Sequence, residues 1–456
     1  MLSRDASLPC RPKRRRADFS GPFLPGTKMI AYYLRLAIRR LKGNSIAYGV
    51  VALVLGAGVG CTMVMGSIVR QINHDPAPGR SSQLYRAVID ARPEAQRRAG
   101  GEGGANLTWP DAQQLMRQGE RWPQVALAGG RVVAKDAADQ AFNVRVRYAT
   151  EQIFQVLGVA LDSGRGWNKA EGDAAQRLVV VSSTLAARLC AEKTCRDATV
   201  DLDGHAYRVI GVAAPWHPVP MYHADLPGAA FAEADQLFLP LAAAVADDLI
   251  VDGSVSVWGE SGEKPRLGGS MAWLQLWALL PHAEDLEKYR QMVASHARLR
   301  GLPAEYNNVW AMPDWLQQQG LVAQDTRVQL WLCYLLLAVC VTNAGALLYL
   351  TLDRRRHEMA IRRAIGARRA DVLVQMLLEA TVVGLLSGTF AMVVYLGGLQ
   401  FVQSSRLVAA ALTAPQATTA LLALLIGLVV ALACAAIPAL RLCTRKVVVQ
   451  QIAASP

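Results

Sequence analysis

Between Val328 and Leu352 the chain reads VQLWLCYLLLAVCVTNAGALLYLTL, twenty-five residues without a charge. As a helix rising about 1.5 Å per residue, this run is roughly 37 Å long and exceeds the hydrocarbon core of a bilayer, about 30 Å. A helix this long and apolar on all sides is read as a membrane span. Asn44–Val69 is a second such run, in which Gly56, Gly58 and Gly60 suit close packing of helices in lipid. The C-terminal quarter holds two more: Ala380–Val402 carries no charge, and neither does Leu407–Leu440, where Pro415 separates a short loop from a helix. Four spans are expected, at about 44–69, 328–352, 372–399 and 416–440, with 400–415 as a short external loop. The predicted fold class is a membrane protein of four transmembrane α-helices with a large α+β extracytoplasmic domain inserted between helices 1 and 2. The first run is too long for a signal-peptide core and no A-x-A-like site follows it, so it is read as a retained span.

Charge gives the orientation. Residues 71–327 hold 25 Lys and Arg against 30 Asp and Glu, a net of −5, although the whole chain carries +12. The remaining segments therefore hold 23 basic against 6 acidic residues, a net of +17. That excess sits in the short flanks: the N-terminus, the loop 353–371 with its seven arginines, and the tail 441–456. The positive-inside rule puts these flanks in the cytoplasm and 70–327 outside. No aromatic-interleaved platform or helix-turn-helix accompanies the basic residues, so membrane lipid is expected as their partner and nucleic acid is not. Residues 29–43 place Ile30, Leu34, Ala37, Ile38 and Leu41 on one face, with Arg35, Arg39, Arg40 and Lys42 elsewhere, an amphipathic cytoplasmic entry helix. Residues 1–28, rich in Pro and Arg, read as a disordered tail or as the product of a start codon assigned too early.

Topology alone does not explain the order inside the arginine loop, DRRRHEMAIRRAIGARRAD. Ile361, Ala364 and Ile365 fall at helical spacing, Arg362 and Arg363 lie on the other side, and Gly366 stops the helix. Asp371, Gln375 and Glu379 then recur every four residues, a polar line entering the third span in which Asp371 and Glu379 are expected as interface anchors, Glu379 beside Arg368 or Arg369. Such a helix, lying flat between two spans, can receive a partner.

Asn343, followed by DRRRHEMAIRRAIGARRADVLVQMLLEA and by GLLSG at Gly384–Gly388, resembles the coupling-helix region of the FtsX-like permease superfamily, within it the MacB-type branch of ABC transporter permeases. The family pattern falls here on Asn343, Arg355, Glu358, Met359, Ala360, Ile361, Arg362, Ala364, Ile365, Gly366, Ala367, Asp371, Val372, Leu373, Glu379 and Ala380. IFQVLGVALDSGRGW, VVVSSTLAARL, VDLDGHAYRVIGV and LFLPLAAA are similar to segments of its external domain; the tail lacks the family's basic-Asp-Pro ending. The resemblance implies ATPase coupling through Arg355, Glu358, Met359, Ile361, Arg362, Ala364, Ile365, Gly366 and Ala367, and helix packing at Asn343, Gly384 and Gly388. It also implies an external domain of two subdomains on a stalk, with Asp314–Arg327 as the second stalk segment. By the same resemblance the chain is a permease subunit that passes the work of a separate ABC-type ATPase to its periplasmic domain, for efflux of a drug, peptide or similar substrate. ATP and Mg2+ would then sit on the ATPase partner, with no cofactor bound directly. A second permease copy or a sister permease would complete a dimer, and a periplasmic adaptor is a further expected partner. The same resemblance leaves two alternatives, an FtsX-like signalling protein that controls a cell-wall hydrolase and a lipoprotein-releasing permease.

No G-x-x-x-x-G-K-[ST], nucleophile elbow or His-Glu-x-x-His occurs, so a non-catalytic subunit is expected. In 71–327, RLVVVSS, AYRVIGVAA, QLFLPL and AWLQLWALL read as strands, and WPDAQQLMRQ and AEDLEKYRQMVASHARLRG as helices. Cys190 and Cys195 in CAEKTC are expected to form a disulfide in an oxidising compartment; the other cysteines are read as packing residues. His217, Met221, His223 and Asp225 lie close together in sequence, but four prolines and no fixed ligand spacing favour an irregular loop over a metal site.

Overall fold

The computed structural model describes residues 35, 37–39, 41, 43–72, 74–98, 105–136, 139–190, 195, 197–224, 226, 229–258, 266–320, 324–354, 357–358, 361, 365, 369–404 and 417–444. Six helices carry the architecture: α1 (Ser45–Ile72), α2 (Trp109–Gln118), α3 (Ala283–Leu299), α4 (Gln324–Asp353), α5 (Arg369–Ser404) and α6 (Ala417–Thr444). Among the described residues three stretches are long and apolar enough to cross a membrane: Ser45–Arg70, Val328–Thr351 and Ala370–Val402. The expected fourth span appears as a shorter apolar stretch, Leu421–Ala436, inside α6. Side chains beyond Ala436 in that helix lie outside the described residues, as do residues 1–34 and 445–456.

The chain divides into two compact units. The first comprises residues 1–59, 337–392 and 421–456. Its core joins Tyr48, Val51, Ala52 and Leu55 of α1 to Ala344 and Leu348 of α4, Val383 of α5, and Ala431 and Cys434 of α6. The helices meet through glycine. A Cβ on Gly388 would lie 2.8 Å from the Leu424 Cα, one on Gly427 would lie 2.7 Å from the Gly388 Cα, and one on Gly384 would lie 2.9 Å from the Leu428 Cα. Backbone therefore touches backbone between α5 and α6, the close approach that drives helix association in lipid, where apolar side chains gain little by leaving the tails.

The second unit, residues 60–336 and 393–420, contains a mixed sheet. Its strands are β1 (Leu84–Ile89), β2 (Leu107–Thr108), β3 (Gln124–Lys135), β4 (Ala141–Ala149), β5 (Leu161–Gly164), β6 (Leu178–Ser182), β7 (Thr199–Leu202), β8 (His205–Ala213), β9 (Leu237–Pro240), β10 (Ser256–Val257), β11 (Met271–Leu279) and β12 (Asn307–Ala311). Neighbours run β12-β1-β11-β3-β4-β9-β6-β8-β5, with β2 and β10 paired to β11 and β7 to β3 and β8. Among the described residues only β4–β9 and β6–β8 are parallel. The strands and both helices expected from the sequence appear where β-branched runs and the 3.6-residue period place them. The first half of the sheet is assembled from two distant parts of the chain, β1 to β3 and β10 to β12, and the segment β4 to β9 forms the second half between them.

The described residues of the segment expected as a stalk, Asp314–Arg327, fall into two elements. Met312–Gln318 is a short helix of its own that buries Met312, Trp315 and Leu316 in the core beneath the sheet. These three side chains and the Arg86 guanidinium 3.9 Å from the Trp315 ring hold it there, and Gln324–Arg327 belong to α4.

Two local devices fix the first half of the sheet. Thr108 caps α2 by accepting from the Asp111 N–H at 3.3 Å, and Asp111 in turn accepts from His296 Nε2 of α3 at 2.8 Å. Burial alone would raise the Asp111 carboxyl, but bonds from His296 and Thr108 and the charge of Arg300 hold it below the ordinary value. In β3, Gly129 and Gly130 leave room that a side chain would fill: a Cβ on Gly130 would overlap the Tyr148 ring of β4. Tyr148 covers the glycine and donates its hydroxyl to the Ile250 carbonyl at 3.0 Å, while Asp252 N–H donates to Gly129 O at 3.0 Å. The β3–β4 hairpin and the 250–252 segment are thus clamped together. Replacing Gly130 by Val is expected to cost about 3 kcal/mol by displacing Tyr148, read as a lower denaturation midpoint by tryptophan fluorescence; an unchanged midpoint would show that the ring can move aside freely.

Candidate functional site

The connection from α4 to α5 carries the coupling residues expected from the sequence. Arg355, Met359, Arg362, Ala364, Gly366 and Ala367 lie outside the described residues. Of the others, Glu358 is exposed on a helical turn, and Ile361 and Ile365 form the next turn, with Ile365 N–H donating to Ile361 O at 3.0 Å. Ile361 is 48% and Ile365 82% exposed. Two isoleucines four residues apart share one helix face, and both stay in solvent where their burial would each contribute about 1.5–3 kcal/mol.

Beneath this connection the two polar groups of the sequence-predicted line separate. Asp371 is half-buried. Glu379 is only 4% exposed, so it is not the interface anchor that its spacing suggested. Its carboxyl accepts from the Tyr48 hydroxyl of α1 at 3.5 Å and from Gln375 Nε2 at 3.3 Å. The reason is desolvation: a carboxyl drawn into the bundle needs donors, and α1 supplies one. Gly384 and Gly388 pack against α6 as described, and Gly56 of α1 comes as close to Ser387 and Phe390 of α5. Asn343, expected at a helix contact, lies instead on the exposed side of α4, because Ala344 and Leu348 make that helix's buried contacts. Tyr48 and Gly427 escaped sequence reasoning, since nothing in an apolar run marks which residue faces which helix.

In the second unit Cys190 and Cys195 are joined by a disulfide with their Cα atoms 5.3 Å apart. The His217–Asp225 stretch holds a buried polar network. Arg147 donates Nε and Nη2 to the two oxygens of Asp235 at 2.9 and 3.2 Å, and His223 Nε2 donates to Asp235 at 2.9 Å. Gln275 and Arg147 both donate to the His223 carbonyl, which ties this loop to the sheet. His217 Nε2 lies 3.1 Å from Ala232 O, Met221 packs with Ala224, Ala230 and Phe231, and Asp225 lies outside the described residues. Among the described residues no group of three His, Cys, Asp or Glu is placed to hold a metal ion. The same unit contains a cavity of about 490 Å³ whose walls include Trp109, Met116, Trp122, Arg117, Lys169 and Asp173. No sequence motif marked it, because its walls come from several separate segments.

Two substitutions test these arrangements. Burial, and then the Arg147 charge, push the His223 ring down to about 4 against the pull of Asp235. An unfolded histidine titrates near 6.5, so between pH about 6.5 and about 4 the unfolded chain binds the proton and the folded one does not. Stability is therefore full above that window and falls as the pH drops through it; His223→Gln is expected to flatten this part of a stability-versus-pH profile. In the bundle, Gly388→Leu should cost about 1–3 kcal/mol by forcing α5 from α6, seen as a lower melting temperature in detergent.

Residues 49–295, more than half of the chain, match the MacB-like periplasmic core domain, and residues 331–447 match the FtsX-like permease C-terminal domain. The macrolide export ATP-binding/permease protein MacB 1/2 of Paracoccus denitrificans (strain Pd 1222) is 26% identical over 309 residues, 66% of this chain and 41% of that protein. The chain thus spans about two fifths of that relative's length. Among solved structures, the periplasmic region of MacB from Actinobacillus actinomycetemcomitans aligns at 16% identity and a TM-score of 0.35, covering 53% of this chain and 94% of that one. The extracellular domain of the noncanonic ABC-type transporter YknZ from Gram-positive bacteria aligns at 12% identity and a TM-score of 0.35, covering 50% and 99%.

Proposed function

Because the chain belongs to the MacB-like permeases of the FtsX type, we propose that it is the permease subunit of an ABC transporter whose ATP is hydrolysed by a separate ATPase chain. The observation that carries this reading is the exposed Ile361–Ile365 face on the connection between two membrane-length apolar helices. A docked ATPase covers those isoleucines and pushes on α4 and α5 as it closes over ATP and Mg2+. The chain itself then does mechanical work and no chemistry.

On this reading α6 supplies a fourth span, the external domain lies between the first and second spans, and the assembly sits in the inner membrane. Cargo is moved on the periplasmic side by the external domain, with a periplasmic adaptor as a further partner, and does not pass between the spans. The near absence of charge along the spans supports this, since a polar pathway needs ionisable residues. The relative named above is a macrolide exporter by its name; for this chain we propose a drug, a peptide or a similar substrate. The mixed aromatic and charged walls of the 490 Å³ cavity fit such a molecule.

The test is purification in mild detergent, identification of co-purifying proteins, and an ATPase assay. A stoichiometric ABC-type ATPase is expected, and Ile361→Glu with Ile365→Glu should weaken its association roughly a hundredfold, the loss of two buried isoleucines, while the chain still reaches the membrane. Recovery of a cell-wall hydrolase or a bound lipoprotein, with no ATPase responding to these substitutions, would replace this reading with a signalling or lipoprotein-releasing one.

A further inference from the structure

The external domain contains a cavity whose walls carry more polar chemistry than the fold uses. It opens, at about 490 Å³, between α2 and β11 on one side and the end of β4, the short helix Lys169–Asp173 and Leu241 on the other. Part of its lining is apolar core: Ala112, Ala126, Ala149, Leu241 and Leu274 are all buried. The half-buried Trp109 and Met116 add to that surface. Trp273 covers one face of the Trp109 indole with ring centres 6.1 Å apart, and the same indole lines the cavity. A space of this size with an aromatic and aliphatic lining suits a drug-sized molecule that removes apolar surface from water.

The charges on the walls are unevenly matched. Lys169 Nζ approaches Glu120 Oε1 to 3.4 Å, tying the short helix to the turn after α2, but both side chains are largely in water and such a pair is weak. Glu151, Asp173 and Arg117 also line the cavity, and among the described residues none of the three has a hydrogen bond or ion pair from its side chain. Arg117 and Asp173 are exposed, where water and salt screen them. Glu151 is half-buried and has lost part of its water without gaining a donor. These five groups set three carboxylates against two cations, and residues 71–327 as a whole carry −5, with 25 basic against 30 acidic residues. A domain of that sign draws cations toward a cleft and turns anions away. The Trp109 indole adds a π system that favours the same sign.

We infer that this cavity binds an amphipathic organic cation, an amine or quaternary nitrogen carried on an apolar body, with the body against Trp109, Met116, Leu241 and Leu274 and the positive nitrogen at Glu151. The inference deepens the permease reading and rests on it in one respect, that whatever occupies the cavity is cargo. Within the drugs and peptides left open there, it narrows that cargo to positively charged molecules. Because the Glu120–Lys169 pair is weak, the two sides of the cavity can part to admit the ligand.

The test is fluorescence anisotropy of two dyes with the full chain in lipid nanodiscs, empty nanodiscs giving the background. Tetramethylrhodamine methyl ester and fluorescein share a tricyclic aromatic body and carry opposite charge. The rhodamine is expected to bind the chain, and fluorescein to stay at background. Glu151→Gln, an isosteric change, should weaken rhodamine binding roughly ten- to hundredfold, and Arg117→Gln should strengthen it about twofold. Ala242→Trp, on the wall beside Leu241, fills the space and should remove binding. Neither Glu151→Gln nor Arg117→Gln alters an apolar core contact, so both variants fold, and the result stands on them if Ala242→Trp does not. Fluorescein bound as tightly as the rhodamine, no rhodamine binding above background, or rhodamine binding unchanged by Glu151→Gln would overturn the cation site. No ATPase enters the measurement, so rhodamine binding by a chain that recruits no ATPase removes the permease reading alone, and ATPase recruitment without rhodamine binding removes this inference alone.

Discussion

Desolvation of polar groups is the constraint on which the arrangement depends. In the external domain the Asp235 carboxylate is buried only because Arg147 and His223 enter the core with it, and Asp111 only because His296, Thr108 and Arg300 do. Each set joins pieces of chain far apart in sequence: α2 to α3, and the proline-rich loop before Asp235 to β4 and β11. In the bundle Glu379 follows the same rule with Tyr48 and Gln375. Removing one member of such a set leaves a charge in a medium that cannot solvate it, which costs more than the pair contributes when intact. These networks therefore act as specifiers of which segments meet, and apolar burial around them supplies most of the stabilisation.

The membrane helices and most strands were legible because each writes its own environment locally. Val328–Leu352 is apolar on all sides, RLVVVSS is a β-branched run bounded by polar residues, and WPDAQQLMRQ carries its N-terminal signals. What was not legible is pairing at a distance. Nothing near Glu379 names Tyr48, 331 positions away, so its spacing pointed to an interface role that burial overrules. The resemblance placed Asp314–Arg327 in a stalk, yet Met312, Trp315 and Leu316 dock the helix Met312–Gln318 into the core. The Ile361–Ile365 face is the opposite case: a local pattern suggested an amphipathic turn, and exposure of both isoleucines is what makes that pattern a candidate site.

The membrane unit also explains why its glycines matter more than its bulk. Leucine-rich faces are as well solvated by lipid tails as by one another, so they discriminate little between one helix neighbour and another. Gly384, Gly388 and Gly427 create a surface of backbone, on which one partner and one depth of approach fit. Specificity comes from what has been taken away.

The divided assembly of the sheet has a consequence for how the protein is made. β1 has two neighbours, β11 and β12, and both lie beyond the whole second half of the sheet. Between Ile89 and Met271 the ribosome adds some 180 residues, roughly ten to forty seconds of synthesis at 5–20 residues per second. Throughout that interval β1 is an open strand with an apolar side and unsatisfied backbone groups, tethered beside the bilayer by the first helix. An unpaired strand edge is a template for aggregation. Biogenesis of this domain is thus exposed to a delay that a circularly contiguous lobe would not face, and whatever binds unpaired strands in that compartment has a window in which to act on it.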